Sequence, residues 1–514
     1  MWRAATDHQH LVVEQDRILQ DHSDAADATD AADAADTMTA VGFKGEKEPT
    51  VDGGRLTWNL MISVIASLCG MFTFGYNTGV INSPKTDIKN FINSVYLSRY
   101  GQAADDALAE SLFSYIVAAF ALGGLVSGPL AGLLAEGLGR KGGLLLISAV
   151  GVVASLLLGF ANLAASHEML LVGRFLIGAC SGLFTSLSPM YISEVAPLAM
   201  RGALGVCNQL SVTIALLVAQ LLGADFGLQR WDVLLGISAV PCVVLLVLLP
   251  LCPESPRFLL ASGRVDAAEN ALSWLRAAPA SHVHAEVQAM KDEEEGAEPA
   301  MGFLQLVRNS SLRKPLLVAA VLQLSQQLSG INGVLYYSTD VFTKAGLDES
   351  TSKLATVGTG GIMVLMTLVS TQFVDRLGRR ALLLLGLVGM FVSSLAVTAT
   401  LGLANEGAVV RALAVVSVLA FVVLFSLGPG SIPWLITAEL FSQGPRPAAM
   451  ACSVTVNWAA NLVVSLAFPP MQVALGYLVF APFSVLLFFF SLFTALRVPE
   501  TKNKTFREIA DSFR

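Results

Sequence analysis

The chain has 514 residues, of which 54% are hydrophobic and only 14% charged, with a mean hydropathy of +0.64 and a formal net charge of −7. So apolar a composition excludes an ordinary soluble globular domain and describes a chain that crosses a bilayer many times. The acidic balance implies no nucleic-acid partner, because its charge sits largely in polar tails and loops.

In chain order, residues 1–55 come first, with acid at three-residue spacing from Asp24 to Asp36 and no bulky apolar side chain there. This composition predicts a solvated, disordered tail. Apolar spans follow near 57–82, 111–135, 143–164, 167–191, 202–224 and 231–252, then, after a polar stretch, near 311–339, 351–374, 381–403, 411–436, 446–468 and 474–497. Each is close to the ~20 residues that a bilayer demands. The first is too long for the core of a cleaved leader and is predicted to stay as an anchor. The predicted fold is an all-α membrane protein with twelve transmembrane helices in two sets of six. The expected divisions are a cytoplasmic tail (1–55), an N-terminal bundle (56–252), a linker of short amphipathic helices (253–310), a C-terminal bundle (311–498) and a second cytoplasmic tail (499–514). With both termini inside, 24 of the 32 Lys and Arg fall on the cytoplasmic face, which agrees with the positive-inside bias.

The halves carry matched marks. Gly139-Arg140-Lys141 returns as Gly378-Arg379-Arg380, 239 residues further on; Glu194 and Arg201 return as Glu439 and Arg446, 245 on; Pro253-Glu254-Ser255 returns as Pro499-Glu500-Thr501, 246 on. Three signatures in one order at similar offsets imply a duplicated six-helix unit. Two such units around a midplane cavity describe an alternating-access transporter.

The most polar stretch inside a span runs from Gln323 to Thr339, Gln-Leu-Ser-Gln-Gln-Leu-Ser-Gly-Ile-Asn-Gly-Val-Leu-Tyr-Tyr-Ser-Thr. An unsatisfied polar group in hydrocarbon costs several kcal/mol, so these groups should face a protein-lined cavity. They are neutral amides and hydroxyls that both donate and accept, which suits an uncharged polyhydroxylated solute better than an ion. The six cysteines lie in or at the ends of spans without ligand spacing and read as buried thiols, not as a disulfide framework or metal site. Neither a nucleophile–base pair, which an enzyme would need, nor a phosphate-binding loop is apparent, and no cofactor is called for.

With Gly75-Tyr76-Asn77-Thr78-Gly79-Val80-Ile81-Asn82, Pro253-Glu254-Ser255-Pro256-Arg257, Gln326-Gln327-Leu328-Ser329-Gly330-Ile331-Asn332 and Gly428-Pro429-Gly430-Ser431-Ile432-Pro433-Trp434, the chain resembles sugar transporters of the major facilitator superfamily, specifically the facilitative glucose transporters of animals. The resemblance covers about residues 57–510. It implies facilitative uniport of D-glucose and related hexoses across the plasma membrane, with Gln209, Gln326, Gln327, Asn332, Trp434, Asn457 and Asn461 holding the sugar. It also implies an outer gate at Tyr336 and Tyr337 and an inner charge network of Arg140, Glu194, Arg201, Asp375, Arg376, Arg379, Glu439 and Arg446. Proton-linked relatives carry an Asp where Asn77 stands, and an amide does not titrate, so uniport is expected over symport. Met363 stands where glucose-transporting relatives supply an Asn, Gly137 replaces an expected Arg and Ser426 an expected Glu. Alternative readings are a fructose, polyol or proton-coupled carrier, and, from another class, a sugar sensor that does not transport.

Overall fold

The computed structural model describes residues 56–514, apart from 225–226, 229, 296–300, 404–406, 443, 503, 505 and 514. The acidic N-terminal stretch therefore lies outside the described residues. Among the described residues the chain is helical throughout, as alternation of long apolar runs with short Gly, Pro and Asp turns requires.

The first half consists of α1 (Trp58–Gly79), α2 (Lys85–Tyr100), α3 (Asp106–Ser127) with its continuation α4 (Ala131–Gly137), α5 (Gly139–Phe160), α6 (His167–Val195), α7 (Arg201–Leu222), α8 (Trp231–Gly236) and α9 (Ala239–Leu248). Short helices α10 (Pro256–Ala261), α11 (Val265–Arg276), α12 (Ala280–Glu295) and α13 (Phe303–Arg308) form the connection. The second half runs through α14 (Arg313–Gln327), α15 (Ile331–Lys344), α16 (Glu349–Leu377), α17 (Arg379–Gly402), α18 (Ala408–Leu427), α19 (Ile432–Leu440), α20 (Arg446–Leu475) and α21 (Ala481–Arg497), and ends in α22 (Phe506–Asp511).

Among the described residues, ten stretches are long and apolar enough to cross a membrane. The twelvefold count follows from two of the interruptions. Residues 313–344, the seventh span, are cut into α14 and α15, each too short to qualify, and the stretch 446–497 joins two spans through a 3-10 turn at Gly476–Phe480. α2 carries Lys, Asp and Arg and packs one apolar edge, Ile88, Phe91, Ile92 and Val95, onto the first half without crossing.

Two ends of the bundle can be told apart. The linker end carries α10–α12, which share a small core of Leu259, Leu272, Val283 and Val287 and dock on the first half where Asn59 Nδ2 donates to Trp274 O (2.7 Å) and Arg276 Nη1 to Val195 O (2.9 Å). The far end carries α2. The halves meet along α3 against α20 and along α7 against α16. At the first seam Trp458 lies edge-on to Phe74 and Phe120, both at 5.7 Å, and a Cβ on Gly124 would stand 2.4 Å from its ring. Only glycine lets the helices approach this closely.

The sequence repeats become a repeated device at the linker end. Gly378 (φ +89, ψ 163) ends α16 and opens α17 in a conformation reserved for glycine, and Glu500 fills the space a Cβ would take, accepting from Arg379 N (2.9 Å) and Arg380 N (3.0 Å). Gly139 (φ +78) repeats the arrangement with Glu254, which accepts from Arg140 N (3.1 Å) and Lys141 N (2.9 Å). The two carboxylates cap helix N-termini, so Gly, the cationic pair and Pro-Glu-Ser/Thr function as one unit.

Candidate functional site

The site is built where two broken helices face each other. α14 ends at Gln327 because Gly330 (φ +94) turns the backbone left-handed, and Phe483 packs on the face where a Cβ would stand, 2.8 Å away. α18 ends at Leu427, and α19 begins beyond Gly428-Pro429-Gly430. Pro433 has no N–H, so the carbonyl of Pro429, four residues back, lacks its helical donor. Gln326 supplies it: Nε2 donates to Pro429 O (2.8 Å) and to Gly430 O (2.7 Å). One amide thus stitches the two breaks together.

Its oxygen anchors the remaining amides. Asn457 Nδ2 donates to Gln326 Oε1 (2.6 Å) and Gln323 Oε1 (2.8 Å), Gln327 Nε2 donates to Asn457 Oδ1 (2.9 Å), and Asn332 Nδ2 donates to Gln327 Oε1. Gln326, Asn332 and Asn457 are buried and Gln327 is half-buried. Gln323, which carries no predicted sugar contact, is fully buried with Nε2 unpartnered. Its place one helical turn before Gln326 and Gln327 is the signal that identifies it as part of the same face.

The predicted contacts divide by hydrogen-bonding capacity. Gln326 spends both amide hydrogens on carbonyls and its oxygen on Asn457 and Gln327, so it is fully committed without a ligand. Gln327 and Asn332 each keep capacity to spare. Gln209 on α7 and Trp434 on α19 are half-buried, and their side chains hydrogen-bond none of the other amides. Asn461 stands a helical turn beyond Asn457 on α20 and accepts from Tyr336 (3.3 Å) and Ser465 (3.2 Å), which ties it to Tyr336 rather than to the glutamines. Tyr337 is buried against Phe468, ring centroids 5.2 Å apart, at a residue where α15 departs from helical geometry (φ −134, ψ 21). Met363 is buried in the apolar core and offers no hydrogen-bond donor.

The charged set divides between the two halves. Arg140 donates to Glu194 (2.8 Å), which also accepts from Ser255; Arg379 pairs with Glu439 (3.1 Å), which also accepts from Thr501 (2.5 Å). Each pair lies within one half, so it braces that half. Arg446 Nε donates to Phe441 O (3.2 Å), Lys502 Nζ donates to Arg376 O (2.9 Å), and Arg201 has a buried Nε without a partner. The Asp375 side chain lies outside the described residues. Ser426 spends its hydroxyl on Val422 O (2.9 Å), and Gly137 faces open space.

Arg174 on α6 is fully buried, its Nη1 donating to Asn77 O (3.0 Å) and its guanidinium 4.6 Å from the Phe120 ring. Asn77 turns its own amide to Thr73 O (3.0 Å) and accepts from Ser238 (3.1 Å). The cation is held by a carbonyl and a ring face.

The family described as sugar (and other) transporter matches residues 62–513. The chain is similar to facilitated glucose transporter member 3 of solute carrier family 2 from Mus musculus, 44% identical over 465 residues that cover 89% of this chain and 94% of that protein. It is likewise 44% identical to member 4 from Homo sapiens over 468 residues, covering 89% and 91%. Among solved structures, the xylose transporter XylE from E. coli in a partially occluded inward open conformation superposes with a TM-score of 0.73 at 25% identity, covering 87% of this chain and all of that one.

Proposed function

Since the chain belongs to the sugar transporter family, with facilitated glucose transporters similar to it over about nine-tenths of its length, we propose that it carries D-glucose and related hexoses down their gradient by alternating access. The observation that carries this reading is the neutral amide cluster at the crossing of two broken helices. Amides pair with adjacent hydroxyls, and the cluster holds no group that would bind an ionic substrate more tightly than a sugar. In this reading Gln327, Asn332, Gln209 and Asn461 take hydroxyls, and Trp434 offers a ring face to the C–H surface of the pyranose and one N–H donor. Gln326 and Asn457 exchange part of their mutual bonding for sugar contacts and otherwise fix the geometry. The six-helix halves, 56–252 and 311–498, rock about this point while Tyr336 and Tyr337 close over the sugar from the far end.

The chain is a multi-pass membrane protein, and we place it in the plasma membrane with the linker end and both termini in the cytoplasm, as the distribution of Lys and Arg favours. Uniport is favoured over proton coupling because Asn77, beside the buried Arg174, cannot exchange a proton.

Stereospecific counterflow tests the substrate class. Labelled D-glucose should accumulate transiently in proteoliposomes preloaded with unlabelled D-glucose, cold D-galactose should compete and L-glucose should not; competition by D-fructose alone would replace glucose as the substrate. Met363→Asn should lower the KM for D-glucose about three- to tenfold, the value of one added neutral hydrogen bond of about 0.5–1.5 kcal/mol. An unchanged KM would place position 363 outside the sugar contacts.

A further inference from the structure

At the far end Lys85, the first residue of α2, reaches across from the first half to the second. Its Nζ lies 2.6 Å from Asp340 Oδ2 on α15 and 2.8 Å from Glu110 Oε1 on α3, and Glu110 is also engaged by Lys89 at 3.1 Å. The ammonium stands 5.5 Å from the centre of the Tyr337 ring and 5.7 Å from that of Phe113. The Lys85 side chain is only 16% exposed. Burial alone would lower its pKa; Asp340 and Glu110 outweigh burial and hold it above the ordinary lysine value. Close by, Asn82 donates to Ser338, a second bond from the first half to α15.

We propose that Lys85, Glu110 and Asp340 form a charge latch that holds the far end shut, with Glu110 presenting Lys85 and Asp340 receiving it. Asp340 is carried by α15, the half-helix beyond the Gly330 break that also bears Asn332 and Tyr336. Swinging this segment outward to admit sugar must pull Asp340 from Lys85, while Glu110 stays with Lys85 in the first half. An ion pair present in one state and absent in the other biases the equilibrium between them by its full net value. A half-buried pair partly screened by water should shift the populations about three- to tenfold. The latch deepens the transport reading, since it assigns a gating role for the same cavity.

The test measures the gate without sugar. Spin labels at Ala103→Cys and Ser350→Cys, exposed far-end positions on opposite halves, report the opening as a distance distribution in the full-length chain, with half-buried Cys69, Cys207 and Cys452 replaced by Ala. Lys85→Met or Asp340→Asn should raise the long-distance population about three- to tenfold, and the double variant should exceed neither single by more than experimental scatter, because both remove one contact. Lys89→Met, which removes a like charge bound only within the first half, should leave the distribution unchanged. Unchanged distributions in both latch variants, multiplying effects in the double, or an equal response to Lys89→Met would overturn the latch. Asp340→Asn keeps side-chain shape and decides the matter if Lys85→Met does not fold. Glucose exchange in the same preparations separates the claims: distances that respond without exchange leave the latch standing and remove the transport reading, and exchange with unresponsive distances does the reverse.

Discussion

Replacing Gln326 by Leu is expected to reduce D-glucose exchange at least about 100-fold. The change removes the donor that satisfies Pro429 O and Gly430 O and an acceptor for Asn457 and Gln327. Leaving a buried polar group unsatisfied costs about 1–3 kcal/mol, and at least two are stranded at once. A factor of 100 corresponds to about 2.7 kcal/mol, within that range. Because Gln326 joins two helix breaks, the loss should appear in stability as well as in transport, lowering the thermal midpoint by a few degrees. Gln327→Ala is the contrast. Gln327 is half-buried, so water can reach the Asn332 and Asn457 amides that it leaves; its removal should weaken transport while lowering the midpoint by less than Gln326→Leu does. Equal loss of stability in both variants would contradict the division between an organising glutamine and a sugar-facing one.

Gly378→Ala should be the most damaging single-atom change at the linker end, costing about 3 kcal/mol. A residue with a Cβ is strained by about 1–3 kcal/mol in the backbone region Gly378 occupies, and the added carbon would stand 2.7 Å from Glu500 Oε2, displacing the carboxylate that caps α17. Gly139→Ala should behave alike through Glu254. Chemical unfolding of the purified protein measures both. Glu500→Ala combined with Gly378→Ala removes the contact but not the backbone strain, so the pair should remain less stable than Glu500→Ala alone. If Gly378→Ala unfolds at the denaturant concentration of the parent, the strained-cap account is wrong.

Hydropathy made most of the architecture legible, because a bilayer leaves few options for satisfying backbone groups. The seventh span shows both what the sequence discloses and what it hides. Its amide-rich stretch announced a buried polar site. That Gln326 serves the carbonyl freed by Pro433 depends on two segments about a hundred residues apart meeting, which no local pattern encodes. Gln323 was legible as the first residue of that polar run, but its partner Asn457, 134 positions away, was not, because a glutamine on a helix gives no sign of which partner it will meet. The charge repeats were visible as motifs, yet their geometry places each ion pair inside one half. An ion pair that does cross, Lys85 to Asp340, involves two residues separated by 255 positions, and each looks alone like an ordinary outer-loop charge.

The most direct measurement of downhill hexose transport is the steady-state distribution of labelled D-glucose in proteoliposomes with an imposed pH gradient. The account predicts that internal and external concentrations become equal with or without the gradient, in either direction of the gradient. Accumulation of glucose above the external concentration that collapses when the gradient is discharged would contradict it and make the protein a proton-coupled carrier.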